Sequence, residues 1–167
     1  EDGRFDPTRR SLNGFSMSTG ISRVNGEHWL FSARSKFETA EYETNNLGKQ
    51  LRADGIEPSL TLQYRETQPG RIFRNYSIAV NKRDEWNWTG NHYSGSIRPL
   101  IDLTWSNFWT TSFSVTYDQR VKNTTLARGG PRVGTPQGWT TEASVGNSRA
   151  AETQWSGHAS IGNDENG

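Results

Sequence analysis

The sequence predicts an all-β fold: an antiparallel, up-and-down transmembrane β-barrel, or an eight-strand arc of a larger one. One stretch carries most of that expectation. From Tyr93 the alternate residues Tyr93, Gly95, Ile97, Pro99, Ile101, Leu103 and Trp105 are uncharged and mostly apolar. Between them stand Ser94, Ser96, Arg98, Leu100, Asp102 and Thr104, all polar except Leu100. After Ser106-Asn107-Phe108 the alternation resumes with Trp109, Thr111, Phe113, Val115 and Tyr117. A three-residue loop there pairs Trp105 with Trp109, Ile101 with Phe113 and Ile97 with Tyr117, which puts both apolar sets on one face. Strict period-2 alternation, with tryptophans at the turn end and tyrosines at the other, is the pattern of a hairpin in a membrane barrel. The second observation is that eight such strands are joined by connections that alternate short and longer, as in bacterial barrels with short periplasmic turns and long external loops. The third is compositional. Hydrophobic residues make up only 31% and mean hydropathy is −0.89, yet there are 7 Trp, 7 Phe and 5 Tyr. A polar lumen behind a narrow apolar outer face reconciles the two.

Composition also excludes several classes. With 19 basic and 18 acidic residues the net charge is +1, which argues against nucleic acid as a partner. The same balance, with so many aromatics, lacks the charge excess of a disordered chain. There is no run of 18 apolar residues for a membrane helix, and no cysteine for a disulfide framework or thiolate metal site. The chain begins at Glu1 without a signal peptide, so the expectation is a mature or excised piece, read as a single domain over residues 1–167.

Taken in order, Glu1 to Ser11 reads as loop, and the first strand spans 12–23 with Phe15, Met17, Thr19 and Ile21 on one face. Val24-Asn25-Gly26 reads as a three-residue loop with Gly26 in the left-handed region, setting Ile21 opposite Trp29 and Thr19 opposite Phe31. The second strand runs over 27–37, and Glu38 to Gly55 forms a long polar connection. A third strand covers 56–66, Thr67 to Arg71 turns the chain, and a fourth spans 72–82, with Arg74 placed to snorkel near the turn. Arg83 to His92 reads as a connection of medium length. The central hairpin supplies strands at 93–105 and 109–118. Asp118 to Gly138 is a long Gly/Pro/Arg-rich segment, and the last strands fall at 139–147 and 153–162. No helix signals occur.

On this facing scheme the outer face holds Phe15, Met17, Ile21, Trp29, Phe31, Leu60, Leu62, Ile78, Ile101, Leu103, Phe113 and Val115. Trp29, Trp105, Trp109 and Trp155 all flank short turns and are expected to form one aromatic girdle, with Tyr93, Tyr117 and Trp139 forming the opposite one. The inner face receives His28, Arg34, Lys36, Arg65, Arg98, Asp102, Glu142 and His158. Such mixed charge suits either a wet pore or a salt-bridged plug. Arg128 and Arg132, around Arg128-Gly129-Gly130-Pro131, are candidates for an anion-selecting constriction. The plainer alternative, an external loop whose glycines supply positive φ, is preferred.

The segment Tyr42-Glu43-Thr44-Asn45-Asn46-Leu47-Gly48, with Leu51-Arg52-Ala53-Asp54 after it, resembles an uncharacterised family of bacterial outer-membrane barrels that follow a family-9-like carbohydrate-binding module. That family's Asn-Asp-Leu-Gly-Phe is similar to Asn45 through Lys49, with departures at Asn46 and Lys49. Leu126-Ala127-Arg128-Gly129-Gly130-Pro131 with Pro136 and Gly138-Trp139, and Tyr64-Arg65-Glu66 with Pro69-Gly70-Arg71, resemble it too. The resemblance covers about Glu38 to Trp139. It implies an internal part of a larger barrel, and it implies no catalytic residue.

Catalytic chemistry finds little footing. His28, His92 and His158 lie in different elements with no local motif, and no spacing suits a metal. Asp102 and Glu142 are the one acid pair worth weighing for glycoside cleavage, and nothing marks a sugar cleft. The expected function is therefore a porin-like channel or structural barrel subunit in the bacterial outer membrane, not an enzyme and without cofactor. Its partners would be the lipid bilayer, the remaining strands of a larger barrel and other envelope subunits. The runner-up is a soluble β-barrel or carbohydrate-binding sandwich whose apolar face points inward; an outer-membrane barrel enzyme comes third. Because a narrow barrel must be filled by side chains, the wall of Gly14, Ser16, Ser18, Gly20 and Ser22 suggests that the first and last strands do not pair fully.

Overall fold

The computed structural model describes residues 11, 13–42, 54–123 and 133–165. Ten strands make it up: β1 (Ser16–Arg23), β2 (Trp29–Glu38), β3 (Gly55–Glu66), β4 (Phe73–Trp86), β5 (His92–Trp105), β6 (Thr110–Asp118), β7 (Val121–Asn123), β8 (Val133–Thr135), β9 (Gly138–Gly146) and β10 (Ser156–Asp164). Eight of them form one antiparallel sheet in the order β1-β2-β3-β4-β5-β6-β9-β10, each strand beside its neighbour in sequence apart from the β7–β8 hairpin that interrupts β6 and β9. This is the all-β, up-and-down arrangement the sequence predicts. β1 and β10 are the two edges, and among the described residues no ladder joins them.

The central hairpin keeps its predicted register. Ile101 faces Phe113 and Ile97 faces Tyr117, and the Trp105 amide donates to the Trp109 carbonyl at 2.9 Å. Phe108 takes the left-handed conformation that closes a three-residue loop, at φ 67°. Its ring lies under the Arg74 guanidinium, 4.2 Å from the centroid. Arg74 sits where the β4–β5 register shifts, between Phe73 and Asn75.

The first hairpin differs from expectation. Ile21 pairs with Ala33, Thr19 with Ser35 and Arg23 with Phe31, four residues away from the predicted register. The reason is the loop, which runs from Val24 to His28 rather than through three residues. An even slip leaves every side chain on its predicted face. Gly26 is needed there for a different reason than turn chemistry suggests. Its φ is not positive, but a Cβ on it would lie 2.2 Å from the Trp29 carbonyl oxygen.

β4 and β5 also extend further than the sequence suggests. The charged run Arg83 to Glu85 reads as the start of a connection, yet it stays in the ladder up to Trp86 opposite His92, with an irregularity at Glu85/Trp86. The β4–β5 connection shrinks to 87–91, so the expected strict alternation of short and longer connections fails there. Asn87 closes this turn: its Oδ1 accepts from the Thr89 amide, the Thr89 hydroxyl and the Asn91 amide at 3.1, 2.9 and 2.7 Å.

Among the described residues the eight-stranded sheet is accompanied by the β7–β8 hairpin alone, whose first strand meets β5 and buries Val121. Buried apolar residues are Ala79, Tyr93 and Val121, and no large side chain is fully buried among the described residues. Phe15, Met17, Ile21, Phe31, Leu60, Leu62, Ile78, Ile101 and Phe113 are all exposed.

Candidate functional site: a polar wall and two aromatic belts

Because side chains alternate across each strand, the registers sort the sheet into two faces. One is apolar in continuous rows across the strands. Trp29, Tyr64, Ile78, Ile101, Phe113, Ala143 and Ala159 form one such row. Ile21, Ala33 and Leu60 open another, which continues through Lys82 to Ile97, Tyr117 and Trp139.

At the short-turn end the aromatics touch in sequence. Trp29 meets Tyr64 edge-on at 5.2 Å, Tyr64 lies 6.1 Å from Tyr76, Tyr76 6.2 Å from Phe73, and Phe73 4.8 Å from Trp105. Trp109 and Trp155 form a T-shaped pair at 5.1 Å. The Trp105 indole donates to the Thr111 hydroxyl at 2.9 Å. All four tryptophans expected beside short turns therefore stand at one end of the sheet.

The opposite end departs from expectation in part. Tyr117 and Trp139 are register partners, exposed to 40% and 42%. Tyr93, expected beside them on the surface, is instead buried, and its hydroxyl accepts from Asn87 Nδ2 at 2.9 Å. The register irregularity beside it displaces it from the outward row. Its place at this end is taken by two aromatics that charge patterning alone assigns to a connection. Trp86 stacks on His92 at 4.9 Å, and Trp88 packs 6.3 Å from Phe37 while donating to the Glu38 carbonyl at 2.7 Å. The sequence carries a signal for Trp86, which continues the even spacing of Val80, Lys82 and Asp84, whereas Trp88 lies in the turn and His92 opens the next strand.

The second face is polar. Arg98 donates to Glu142 at 2.8 Å and to the Ser114 hydroxyl at 3.0 Å, and Ser114 in turn donates to Glu142 at 3.2 Å. Ser112 donates to Asp102 at 2.6 Å. Arg98, Asp102, Glu142 and His158 line one shallow depression of 190 Å³. Toward β1, a larger concavity of 810 Å³ is lined by Arg34, Lys36, Glu57, Ser59 and Arg83. There the Lys36 ammonium lies 2.9 Å from Glu38 and 3.9 Å from Glu57, while the Ser16 hydroxyl donates to Glu38 at 3.2 Å.

Two predicted inner-face residues serve the first turn instead. Arg65 donates to the Gly26 carbonyl at 3.0 Å. His28 lies in the turn, its Nδ1 3.1 Å from the Arg65 carbonyl and its ring stacked on Tyr64 of the apolar face at 5.5 Å. Arg128 and Arg132 lie outside the described residues, as do Asn45 to Gly48 and Leu126 to Pro131.

For chemistry the face offers charge and hydroxyls in a half-paired network. Among the described residues no serine hydroxyl is hydrogen-bonded to a histidine, and no group of three or more His, Cys, Asp or Glu could hold a metal. The closest histidine–carboxylate contact, His92 Nε2 to Asp84 Oδ1 at 3.1 Å, belongs to the outer-face rim, where Lys82 also meets Asp84 at 2.6 Å.

Neither the curated proteins nor the solved structures include a match to this chain. One family model matches residues 4–144, a span that contains the polar wall from β1 to Glu142. The chain belongs to that family, described as a domain of unknown function (DUF5916).

Proposed function

We propose that this chain is a wall of a bacterial outer-membrane β-barrel, a porin-like channel or structural subunit whose apolar face meets lipid and whose polar face lines an aqueous lumen. One observation carries the reading: among the described residues the large apolar side chains of one face stand exposed, while the other face carries charges and hydroxyls. In water, a contiguous apolar surface of this extent is rare on a monomer. Against lipid it is what a spanning sheet requires, because the backbone groups of the strands between its two edges are paired within the ladder. The dimensions agree. Trp109 and Tyr117 are eight residues apart on one face, or about 27 Å along the strand, and a tilted spanning strand needs roughly 9–11 residues.

The free edges extend the proposal. Every residue of β1 and β10 is exposed, and an unpaired backbone group in hydrocarbon costs several kcal/mol. Further strands of a larger barrel, or envelope subunits, would cover them. The small-residue inner wall Ser16, Ser18, Gly20 and Ser22 suits a wide lumen. An upstream carbohydrate-binding module, as in the barrels this sequence resembles, fits the same picture. The protein would act without catalysis or cofactor.

Refolding into phosphatidylcholine liposomes tests the reading. The chain should resist extraction by urea and carbonate and should keep its strands protected from protease. A chain that stays monodisperse in buffer without detergent, and does not bind the liposomes, would refute it.

A further inference from the structure

The cations of the polar face fall into two groups. Lys36 is held by Glu38 and Glu57, Arg98 by Glu142 and Ser114, and Arg65 by the Gly26 carbonyl. Arg34 and Arg83 have no hydrogen bond or ion pair among the described residues. Both are exposed, and both lie on the same register row. Arg34 faces Ser59 on one side of β3, and Ser59 faces Arg83 on the other. Their Cα atoms are thus two ladder spacings apart, about 9–10 Å. That span lets two long side chains lean over Ser59 toward a common point.

The row is cleared on either side. Arg34 faces Gly20 on β1 and Arg83 faces Ser96 on β5. A Cβ at Gly20 would come within 2.8 Å of Arg34 Cγ, so the glycine leaves room for the Arg34 stem over β1, from which the exposed side chain turns across β2 to reach Ser59. The row opens into the 810 Å³ concavity. Its acids are already engaged: Glu57 faces Lys36, Asp84 is bound to Lys82 and His92 on the other face, and Glu85 has a partner of its own. Two guanidinium forks without a carboxylate, on either side of a serine hydroxyl, match the planar, bidentate way arginine takes an oxyanion.

We propose that Arg34, Ser59 and Arg83 form an oxyanion-binding station on the polar wall, selective for tetrahedral, multiply charged anions of the phosphate class over chloride. Binding itself does not depend on the channel reading; only its meaning as a selectivity device rests on that reading.

The test uses inorganic phosphate and the full chain, in buffer or in detergent micelles, whichever keeps it monodisperse. Calorimetric titration against a chloride background should show saturable phosphate binding. Arg34→Gln with Arg83→Gln should weaken it by roughly tenfold for each guanidinium removed. Arg98→Gln, which removes an arginine already bound to Glu142, should leave it unchanged. Both altered sites are exposed, and circular dichroism of the variants should retain the β-sheet signal. No phosphate binding by the native chain would overturn the proposal. So would equal binding by the double variant, or an equal loss in Arg98→Gln, which would mean that net charge alone attracts the anion. In planar bilayers, phosphate binding without conductance would leave the station standing and remove the channel reading. A conducting chain whose double variant loses anion preference would support both.

Discussion

Phe113→Arg separates a lipid-facing from a water-facing sheet more sharply than any other single change. Phe113 lies four residues from Trp109 and four from Tyr117, so about 14 Å of strand separates it from the aromatics at either end. It is 45% exposed, pairs across the ladder with Ile101 and Ala143, and has a polar-face neighbour on either side in Ser112 and Ser114. In water, arginine on such a half-exposed strand position changes stability by less than about 0.5 kcal/mol, as surface substitutions commonly do. At the midplane of a bilayer the same change costs roughly 2–4 kcal/mol. Ser160→Arg is the control: Ser160 is exposed on the polar face opposite Glu142, so the new guanidinium gains a partner and stability moves by under about 0.5 kcal/mol in either setting. The assay is reversible guanidinium unfolding of chain refolded into liposomes, followed by tryptophan fluorescence. The expected result is a midpoint shift for Phe113→Arg equivalent to roughly 2–4 kcal/mol, and almost none for Ser160→Arg. Equal, negligible shifts for both would refute the assignment of that face to lipid.

Other consequences follow from single contacts. Single-tryptophan variants retaining Trp29, Trp105, Trp109 or Trp155 should share one depth when quenched by brominated lipids, and Trp86, Trp88 and Trp139 should share another; uniform quenching of all seven by aqueous acrylamide would count against two belts. Gly26→Val forces a side chain against the Trp29 carbonyl, 2.2 Å from its Cβ, and should cost about 1–3 kcal/mol in the same unfolding assay. Asn87→Ala removes the acceptor of three turn hydrogen bonds and the donor to the buried Tyr93 hydroxyl; it should cost about 1–3 kcal/mol and open the turn at 87–91 to limited proteolysis, visible as a new pair of fragments.

Much of the architecture is legible in the sequence because the period-2 signal is local. Each strand's own alternation decides which residues share a face, and so the row from Trp29 to Ala159 can be anticipated. Register is less legible. The first hairpin depends on how many residues its loop takes, and Gly26 offers two physical explanations, a left-handed φ or a close backbone approach. The sequence supports both, and only the position of the Trp29 carbonyl distinguishes them. The extension of β4 beyond Lys82 is hidden by Arg83-Asp84-Glu85, whose charge reads as a connection although alternate members lie on opposite faces of a continuing strand. Tyr93 escapes prediction for a related reason: one irregularity at Glu85/Trp86 moves it from a displayed row into a buried hydrogen bond. Of the candidate site, Arg34, Lys36, Arg98, Asp102 and Glu142 are visible in advance as one face. Arg83, however, is hidden in a run read as a connection, and the division into paired and unpaired cations is not legible at all. That division depends on cross-strand neighbours, which the register alone supplies.

The strands are unequal: β3, β4 and β5 run for 12, 14 and 14 residues, whereas β1, β2, β6, β9 and β10 run for 8 to 10. Relative to β6, β9 and β10 the surplus lies at the end opposite the short turns: Asp118 and Gly138 stop at the level of Ser96 and Arg83, while the β4–β5 ladder continues to Trp86 and His92. β1, β2 and β3 reach the same level, with Ser16, Glu38 and Gly55 in one register row beside Ile56 and Trp86. The margin of the sheet on that side is therefore stepped, higher over β1 to β5 than over β6, β9 and β10. The step in height falls between β5 and β6, so it is drawn by strand length alone: five strands carry their pairing past the level at which the last three stop.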